Sequence, residues 1–258
     1  MDGRNGSERG GVAIVTGGSR GLGRNMVQSI ARRGTDVIFT YQNDKTAAEA
    51  LVAEVEGVGR RAAALRLDVG DAGTFDAFAE QVRGVLRNWG VDRFQFLINN
   101  AGIGVHASIA DTTEEQFDLL MDIHVKGPFF LTQKLLPLMS DGGRIVNVST
   151  GLARFATPGF AAYASAKGAV EVMTRYLAKE LGPRGITANV IAPGAIETDF
   201  GGGMVRDNPD ANEAIASVTA LGRAGLPQDI GGVVASLLSP EMGWVNAQRI
   251  EASGGQQL

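Results

Sequence analysis

The sequence predicts a single-domain α/β protein, a Rossmann-type doubly wound parallel sheet with helices on both faces. Seven short apolar runs rich in β-branched residues recur along the chain, and most of them lead into a stretch with helical spacing. Strands that are apolar throughout, rather than alternately apolar and polar, are typical of a parallel sheet covered on both faces. In addition, no linker, low-complexity tract or internal repeat divides the 258 residues, a length that single α/β domains commonly reach.

The first strand and the first helix flank a glycine-rich loop. Residues 12–16 form a β-branched apolar run that predicts a strand. A helix is predicted over 21–33, where apolar residues recur at four-residue spacing: Leu22, Met26 and Ile30. Gly34 follows the last turn, in the position where glycine commonly ends a helix.

The same alternation continues to the end of the chain. Further strands are predicted at 36–41, 62–67, 94–98, 144–148, 186–191 and 248–251. Helices are predicted at 44–57, 71–88, 113–139 and 160–181, the third of them broken near Gly127-Pro128. The segment 199–219 is polar and glycine-rich, and we expect it to be a mobile lid over a substrate site.

Composition narrows the class of protein further. With 24 Lys and Arg against 28 Asp and Glu, the net charge is −4, whereas a nucleic-acid-binding face must be basic. The absence of cysteine excludes disulfides and cysteine zinc sites, and no apolar run approaches the length of a membrane span. Residues 1–10 are polar, lack the apolar stretch of a signal peptide, and are predicted to be a disordered leader to a domain spanning 11–258. These features predict a cytoplasmic protein.

Residues 16–23 (Thr-Gly-Gly-Ser-Arg-Gly-Leu-Gly) connect the first strand to the first helix. Glycines at such a junction let the backbone turn tightly and approach a pyrophosphate, whose charge is stabilised at the helix N-terminus. The spacing is G-x3-G-x-G rather than the more familiar G-x-G-x-x-G, and a plain turn is the alternative interpretation. The placement at the first strand–helix junction favours a dinucleotide site.

The end of the second strand indicates which dinucleotide is bound. An Asp or Glu there would accept a hydrogen bond from the ribose 2′-hydroxyl of NAD. The strand instead ends in Thr40-Tyr41-Gln42, and Asp44 is the first carboxylate after it. Arg20, within the glycine loop, is suited to pair with a 2′-phosphate, and the alternative is a solvated loop arginine. The sequence therefore favours NADP(H) over NAD(H).

Tyr163 and Lys167 are spaced i, i+4 in a predicted helix and so share one of its faces. An ammonium group near a phenol stabilises the phenolate and lowers the pKa of the tyrosine from its usual value of about 10. The spacing predicts that Tyr163 acts as a general acid toward a carbonyl oxygen, with an accidental surface pair as the alternative.

Taken together, these motifs resemble those of the short-chain dehydrogenase/reductase family, and the resemblance covers residues 11–255. Six elements follow one another in the family's order: the loop at 16–23, Leu67-Asp68-Val69, Asn99-Asn100-Ala101-Gly102, the strand at 144–150, Tyr163-x3-Lys167 and Pro193-Gly194-Ala-Ile196-Glu-Thr198. The chain is most similar to 3-oxoacyl-carrier-protein reductase-like members, many of which carry an arginine in the glycine loop and use NADPH. The resemblance also implies a homotetramer.

The resemblance implies a role in cofactor binding for each matching residue. Asp68 and Val69 would contact the adenine, with a helix cap or turn acid as the alternative for Asp68, and Asn100, Ala101 and Gly102 would line the adenosine ribose. The phosphates and the 2′-position would be held by residues of the loop and of the second strand: Gly17, Ser19, Arg20, Gly21, Leu22, Gly23 and Tyr41. The nicotinamide ring and its carboxamide would be held by residues that follow the sixth strand: Pro193, Gly194, Ile196 and Thr198.

At the reacting end, the resemblance implies that Tyr163 donates the proton. Lys167 would bind the nicotinamide ribose hydroxyls and lower the pKa of the tyrosine. The substrate-orienting serine of the family is usually the second of a Ser-Ser pair, whereas this chain has Ser149-Thr150. We expect the Thr150 hydroxyl to make the same hydrogen bond, with Ser149 as the alternative.

A second departure from the family pattern is His124, in His124-Val-Lys-Gly127. In the family an asparagine at this position holds a water in a proton relay to the lysine, through its backbone carbonyl as well as its side chain. His124 would supply the same carbonyl, or its ring would shuttle protons, or it is a core histidine without a catalytic part. We favour the carbonyl, because an irregular turn beside Gly127-Pro128 would free it toward water.

The sequence as a whole predicts an NADP(H)-dependent carbonyl reductase or alcohol dehydrogenase acting on a small molecule. The departures at His124 and Thr150 leave a catalytically impaired dinucleotide-binding regulatory protein as the alternative. An isomerase or dehydratase with tightly held NAD is disfavoured by the cofactor-selecting positions. No metal site is predicted, since His124 and His106, a loop residue expected near the substrate mouth, form no recognised ligand set. Apolar residues of the expected pocket, which would equally suit the core, are Phe155, Phe160 and Met204.

Overall fold

In the computed structural model, residues 10–258 are described and form a seven-stranded sheet in the order β3-β2-β1-β4-β5-β6-β7. The strands are β1 (Gly10–Val15), β2 (Thr35–Tyr41), β3 (Ala62–Arg66), β4 (Phe94–Asn99), β5 (Met139–Val148), β6 (Thr187–Pro193) and β7 (Arg249–Ala252). Each neighbouring pair is parallel. All seven predicted strands are present, and the predicted fold class is confirmed.

The helices cover both faces of this sheet. Within residues 10–258 the α-helices are α1 (Gly21–Arg32), α2 (Lys45–Gly57), α3 (Phe75–Asn88), α4 (Glu114–Met121), α5 (Gly127–Leu135), α6 (Ala161–Leu181), α7 (Met204–Asp207), α8 (Pro209–Ser217) and α9 (Pro227–Leu237). A π-helical turn, Asp122–Lys126, lies between α4 and α5. No helix in this part of the chain combines the length and apolarity that crossing a membrane requires.

Two apolar cores, one on each face, hold the layers together. Alternate side chains of a strand point to opposite faces, so Ala13 and Val15 of β1 enter one core while Val12 and Ile14 enter the other. The first core is closed by α1, α2 and α9, and the second by α3, α5 and α6. The strands β1 to β6 therefore carry apolar side chains on both faces, whereas the edge strand β7 does so on one face only, through Ile250 and Ala252.

The structure gives the detail of two predicted segments, and a third lies almost wholly outside the described residues. The predicted helix over 113–139 is interrupted at Asp122–Lys126, just before Gly127-Pro128, and a short 3-10 turn follows α5. The leader predicted at 1–10 lies outside the described residues, except that Gly10 already begins β1. The expected lid, 199–219, folds largely into helical segments, α7 and α8 among them.

Helix α9 was not predicted, because Gly231 and Gly232 interrupt its helical pattern. The structure gives the reason for the first glycine, which faces α1 closely. A Cβ on Gly231 would lie 2.0 Å from Asn25 Oδ1 and 2.8 Å from the Asn25 backbone oxygen. The glycine that weakens the local pattern is therefore what lets two helices pack together.

The order of the strands determines where a ligand can bind. β1 is followed in space by β2 on one side and by β4 on the other, so the direction of winding reverses between β1 and β4. In doubly wound sheets a crevice opens at this reversal, outside the carboxyl ends of the strands. The residues that follow β1, β4, β5 and β6 all lie at this edge of the sheet.

Candidate active site

The glycine loop after β1 makes contacts that side chains would prevent. Gly17 has a φ of +64°, and a Cβ there would lie 2.9 Å from the Ala101 Cα. A Cβ on Gly23 would lie only 2.0 Å from the Gly17 carbonyl oxygen. The Gly17 backbone N–H donates to Thr40 Oγ1 at 2.9 Å, which ties the loop to β2. The loop is thus a tight turn whose glycines are required by close backbone packing.

The loop leaves the N-terminus of α1 suited to an anion. Arg20 is the N-cap residue in an extended conformation, and among residues 10–258 no side chain caps the first turn. The Leu22 side chain packs against the first core, so that only its backbone can face the loop. Uncapped backbone N–H groups at the positive end of a helix dipole bind phosphate groups. The site therefore fits the pyrophosphate of a dinucleotide.

The turn after β4 is fastened to this loop. Thr16 Oγ1 accepts hydrogen bonds from the backbone N–H groups of Asn100 and Ala101, at 2.9 and 3.0 Å. In return, Asn100 Nδ2 donates to the carbonyl oxygens of Thr16 and Gly17 at 2.9 and 3.2 Å. Two segments far apart in sequence thus form one rigid wall, and Gly102 continues it toward His124.

A second group of predicted residues lies at the ends of β2 and β3. Gln42 Nε2 donates to Asp68 Oδ2 at 2.8 Å, while Arg66 Nε donates to the Gln42 carbonyl oxygen at 3.1 Å. Tyr41 is in register with Arg66, and Arg20 is exposed. Arg66 was missed by sequence reasoning, because only the strand register shows that it accompanies Tyr41. Val69, the other predicted adenine contact, packs its side chain against the second core.

Thr150, Tyr163 and Lys167 are buried together at the carboxyl end of β5. Tyr163 and Lys167 lie on one face of α6, with 6% and 4% of their surface exposed, and Thr150 is 9% exposed. Lys167 Nζ donates to the Val148 carbonyl oxygen at 2.7 Å and lies 5.8 Å from the centre of the Tyr163 ring. An accidental surface pair is excluded, because both side chains are buried.

Burial sets the protonation of both groups. It raises the pKa of Tyr163 above its usual range, and only the neighbouring Thr150 hydroxyl acts in the opposite direction. It lowers the pKa of Lys167 to about 7. Lys167 was expected to lower the pKa of Tyr163, whereas the pKa is raised, because burial removes the hydration that would stabilise the phenolate. Tyr163 keeps its proton at neutral pH, as a general acid must.

The structure separates the two alternatives for the substrate-orienting hydroxyl. Ser149 Oγ donates to Glu171 Oε1 at 2.7 Å, and Ser149 is 3% exposed. Its hydroxyl is therefore already engaged by a carboxylate. Thr150 Oγ1 accepts from the Leu152 N–H at 3.2 Å and acts on the phenol of Tyr163. Of the two residues, Thr150 is the better placed to orient a substrate beside Tyr163.

His124 lies within the π-helical turn, with 1% of its surface exposed. Its Nε2 is 2.8 Å from the Ile103 carbonyl oxygen, while its Nδ1 is buried without a partner among residues 10–258. Burial, and then the charge of Lys167, lower its pKa to about 3, against a smaller opposite effect of the Ile103 hydrogen bond. The ring is therefore neutral, and the short contact of Nε2 with the Ile103 carbonyl fits a proton on Nε2. Because Pro128 has no N–H, the His124 carbonyl also lacks its i+4 donor.

The residues expected around the nicotinamide follow β6. The Gly194 N–H donates to the Ala252 carbonyl at 3.2 Å, and a Cβ there would lie 2.9 Å from the Ser253 Cβ. Ile196 forms a parallel bridge with Gly225. Thr198 lies across the crevice from Gly21, whose Cβ would be 3.6 Å from the Thr198 Cβ. Pro193 is the last residue of β6, so the segment closes the crevice opposite the glycine loop.

Aromatic side chains surround the entrance to the site. Phe200, which sequence reasoning did not single out, lies with its ring centre 5.7 Å from that of Tyr163. Phe160, the residue before α6, makes an edge-on contact with His106 at 5.0 Å, so the loop that carries His106 packs against the start of the helix that carries Tyr163. Met204 is 58% exposed. Phe200 was not predicted because a glycine run follows it, and the sequence there has no helical or strand pattern.

Comparison with known proteins identifies the family. A family model described as enoyl-(acyl carrier protein) reductase matches residues 17–257. Tetrahydroxynaphthalene reductase PfmaG of Pestalotiopsis fici is 35% identical over 255 residues, 95% of this chain and 90% of that protein. A blue fluorescent protein from a metagenomic library, solved with NADPH, is 39% identical with a TM-score of 0.87, over 96% of this chain and 98% of that one. The angucycline C-6 ketoreductase LanV, solved with NADP, is 34% identical with a TM-score of 0.91, over 98% of this chain and 97% of that one.

The fold and the site thus define a Rossmann-type oxidoreductase. The chain belongs to the short-chain dehydrogenase/reductase family, as the six sequence motifs indicated.

Proposed function

We propose that the protein is an NADP(H)-dependent carbonyl reductase, transferring a hydride between the nicotinamide and a ketone or secondary alcohol. The observation that carries this proposal is the burial of Thr150, Tyr163 and Lys167 side by side, at the edge of the sheet where the glycine loop lies. A protein that only bound a dinucleotide would have no need of a buried phenol beside a buried amine.

The residues divide the chemistry as follows. When bound, NADPH supplies the hydride. The Thr150 hydroxyl would orient the carbonyl oxygen of the substrate, and Tyr163 would hold the proton that this oxygen takes up. Lys167, in its ammonium form, would stabilise the phenolate that is left on Tyr163. The neutral ring of His124 would hold the turn after β4 through Ile103, while the His124 backbone carbonyl remains available for a water.

Preference for NADP(H) over NAD(H) rests on charge at the end of β2. No carboxylate follows Tyr41 where the ribose 2′-hydroxyl of NAD would need an acceptor. Two guanidinium groups would supply the positive charge that a 2′-phosphate needs, that of Arg66, in register with Tyr41, and that of Arg20, at the N-cap of α1. The solved relatives that contain NADPH or NADP support the same choice.

The substrate we propose is a flat aromatic or polycyclic ketone. Phe200 and Phe160 at the entrance would stack against such a ring system, and α7 and α8 would form a lid over it. The names of two relatives, a tetrahydroxynaphthalene reductase and an angucycline C-6 ketoreductase, support this class.

A turnover assay tests the proposal. The purified protein is given NADPH or NADH with a bicyclic aromatic ketone, a 3-oxoacyl ester or a small aliphatic ketone, and loss of cofactor absorbance is followed. We expect the fastest turnover with NADPH and the bicyclic ketone, and little turnover in Tyr163→Phe. Tight binding of NADPH without turnover of any ketone would favour the regulatory protein instead.

We further propose a homotetramer, as the family resemblance implies, acting in the cytoplasm, as the composition predicts. Exposed aromatic side chains on α4, α5 and α6 support association, because apolar surface of this kind is commonly covered by another chain. They are Phe117, Phe129, Phe130 and Tyr176. Light scattering of the protein after size-exclusion chromatography measures the mass of the assembly, and a monomer would contradict the proposal.

A further inference from the structure

Behind Thr150 lies an arginine that has no part in the proposed reaction. Arg249, the first residue of β7, donates through each of its three guanidinium nitrogens. Nε donates to Glu171 Oε1 at 2.8 Å, NH1 to Glu251 Oε2 at 2.9 Å, and NH2 to the backbone carbonyl oxygen of Thr150 at 3.0 Å. One planar group therefore joins α6, β7 and the turn that follows β5.

The same arginine reaches Ser149 through Glu171. Glu171 Oε1 accepts from Arg249 and also from Ser149 Oγ, at 2.8 and 2.7 Å. Both residues of the Ser149-Thr150 pair are thus held, Thr150 by its carbonyl and Ser149 by its hydroxyl. The side chains of Glu171 and Arg249 are 15% and 24% exposed, so that water screens these bonds only in part.

Arg249 is itself kept in place by a second arginine. Arg154 donates to both carboxylate oxygens of Glu251, at 2.8 and 2.9 Å, and also to the backbone carbonyls of Gln256 and Gln257. Burial alone would raise the pKa of Glu251, but hydrogen bonds from Arg154 and Arg249 hold it below its usual range. Glu251 therefore stays ionised and fixes the plane of the Arg249 guanidinium.

We propose that Arg249 is a positioning residue that aims the Thr150 hydroxyl at the substrate carbonyl, an inference that rests on the proposed function of Thr150. Thr150 has an extended backbone (φ −160°, ψ 155°) immediately before a short 3-10 turn. Because the carbonyl and the side chain are attached to the same Cα, a displacement of this backbone segment would also shift the hydroxyl relative to Tyr163. A displacement of about 1 Å in a reacting site can lower the rate about 100-fold. Loss of the hydrogen bond from Arg249 to the Thr150 carbonyl should therefore lower kcat measurably.

The test compares Arg249→Met in two backgrounds, the natural chain and Thr150→Ala. Thr150→Ala keeps the backbone carbonyl, and so keeps every bond of Arg249, but it removes the hydroxyl that Arg249 is proposed to aim. We expect Arg249→Met to lower kcat about 10- to 100-fold in the natural chain and less than about 3-fold in Thr150→Ala. Arg249→Lys, which retains the charge but not the planar fork, should recover only part of the rate.

Arg184→Met is the matched control. Arg184 also pairs with a carboxylate, Asp141, and donates to two backbone carbonyls, those of Leu136 and Met139, but it does so at the amino end of β5. We expect it to keep the natural kcat. Hydrogen exchange gives a readout without turnover: the amides of residues 149–155 should exchange faster in Arg249→Met and not in Arg184→Met, while both variants bind NADPH as the natural chain does.

Equal losses of kcat in the two backgrounds, or unchanged exchange at 149–155, would overturn the positioning role and leave the proposed function intact. A natural rate in Thr150→Ala would overturn both the proposed role of Thr150 and this inference.

Discussion

The imidazole of His124 stands edge-on to the phenol ring of Tyr163, with ring centres 5.2 Å apart and an interplanar angle of 82°. The contact joins the π-helical turn to the proposed proton donor. It is a contact of a neutral ring, because the pKa of His124 is lowered to about 3. A proton shuttle through the imidazole near neutral pH is therefore disfavoured, and the His124 backbone carbonyl with a neutral side chain is favoured.

The depressed pKa of His124 predicts how stability depends on pH. Between about pH 3 and 6.5 the unfolded chain binds a proton at this position that the folded chain does not. The free energy of unfolding should therefore fall as the pH drops through this window. In His124→Asn the fall should be smaller by a few kcal/mol at most, measured by urea unfolding near pH 7 and about pH 4. His106→Asn, at an exposed loop position, should keep the pH dependence of the natural chain. An unchanged pH dependence in His124→Asn would contradict the conclusion that burial keeps His124 neutral.

Lys167 predicts the pH dependence of the reaction. Its pKa is lowered to about 7 by burial, so its ammonium form is lost as the pH rises through that value. The kcat for ketone reduction should therefore decline above about pH 7, because the phenolate left on Tyr163 loses its stabilising charge. A profile measured from about pH 5.5 to 9 should show this limb in the natural chain and in His124→Asn alike. If the limb disappears in His124→Asn, the imidazole is the titrating group.

Arg20 predicts cofactor choice. If its guanidinium pairs with the 2′-phosphate, Arg20→Ala should weaken NADPH binding by about 1.5–3 kcal/mol and leave NADH binding nearly unchanged. Calorimetric titration of both cofactors measures the difference. Arg66→Ala should act in the same direction, since Arg66 is in register with Tyr41. Equal losses of binding free energy for NADPH and NADH in Arg20→Ala would show that Arg20 does not contact the 2′-phosphate.

Substitutions at two glycines test whether the loop after β1 holds the cofactor. Gly23→Ala places a Cβ 2.0 Å from the Gly17 carbonyl and should abolish NADPH binding. Gly168→Ala, on α6, meets nothing within 4 Å and should raise the free energy of unfolding by up to about 1 kcal/mol with natural NADPH affinity. Fluorescence titration and thermal unfolding test the pair. Natural NADPH binding by Gly23→Ala would mean that the loop does not hold the cofactor.

The strands and the cofactor loop were predictable because their signals are local. A β-branched apolar run such as 12–16 and the glycines after it carry their meaning within a few residues. Other features depend on neighbours distant in the chain: Gly231 on Asn25, Phe200 on Tyr163, and Arg249 on Thr150. The pKa of Tyr163 was misjudged for the same reason, since the spacing of two residues in a helix does not reveal how deeply the helix buries them.

The role of Tyr163 as the proton donor in a ketone reduction is the basis of the proposed function. It is tested most directly by Tyr163→Phe, which removes one hydroxyl from a buried ring and keeps its packing. With NADPH and the best ketone substrate, we expect kcat to fall about 10²- to 10⁴-fold while the dissociation constant of NADPH stays within a few-fold of the natural value. A kcat in Tyr163→Phe close to that of the natural chain would contradict the account.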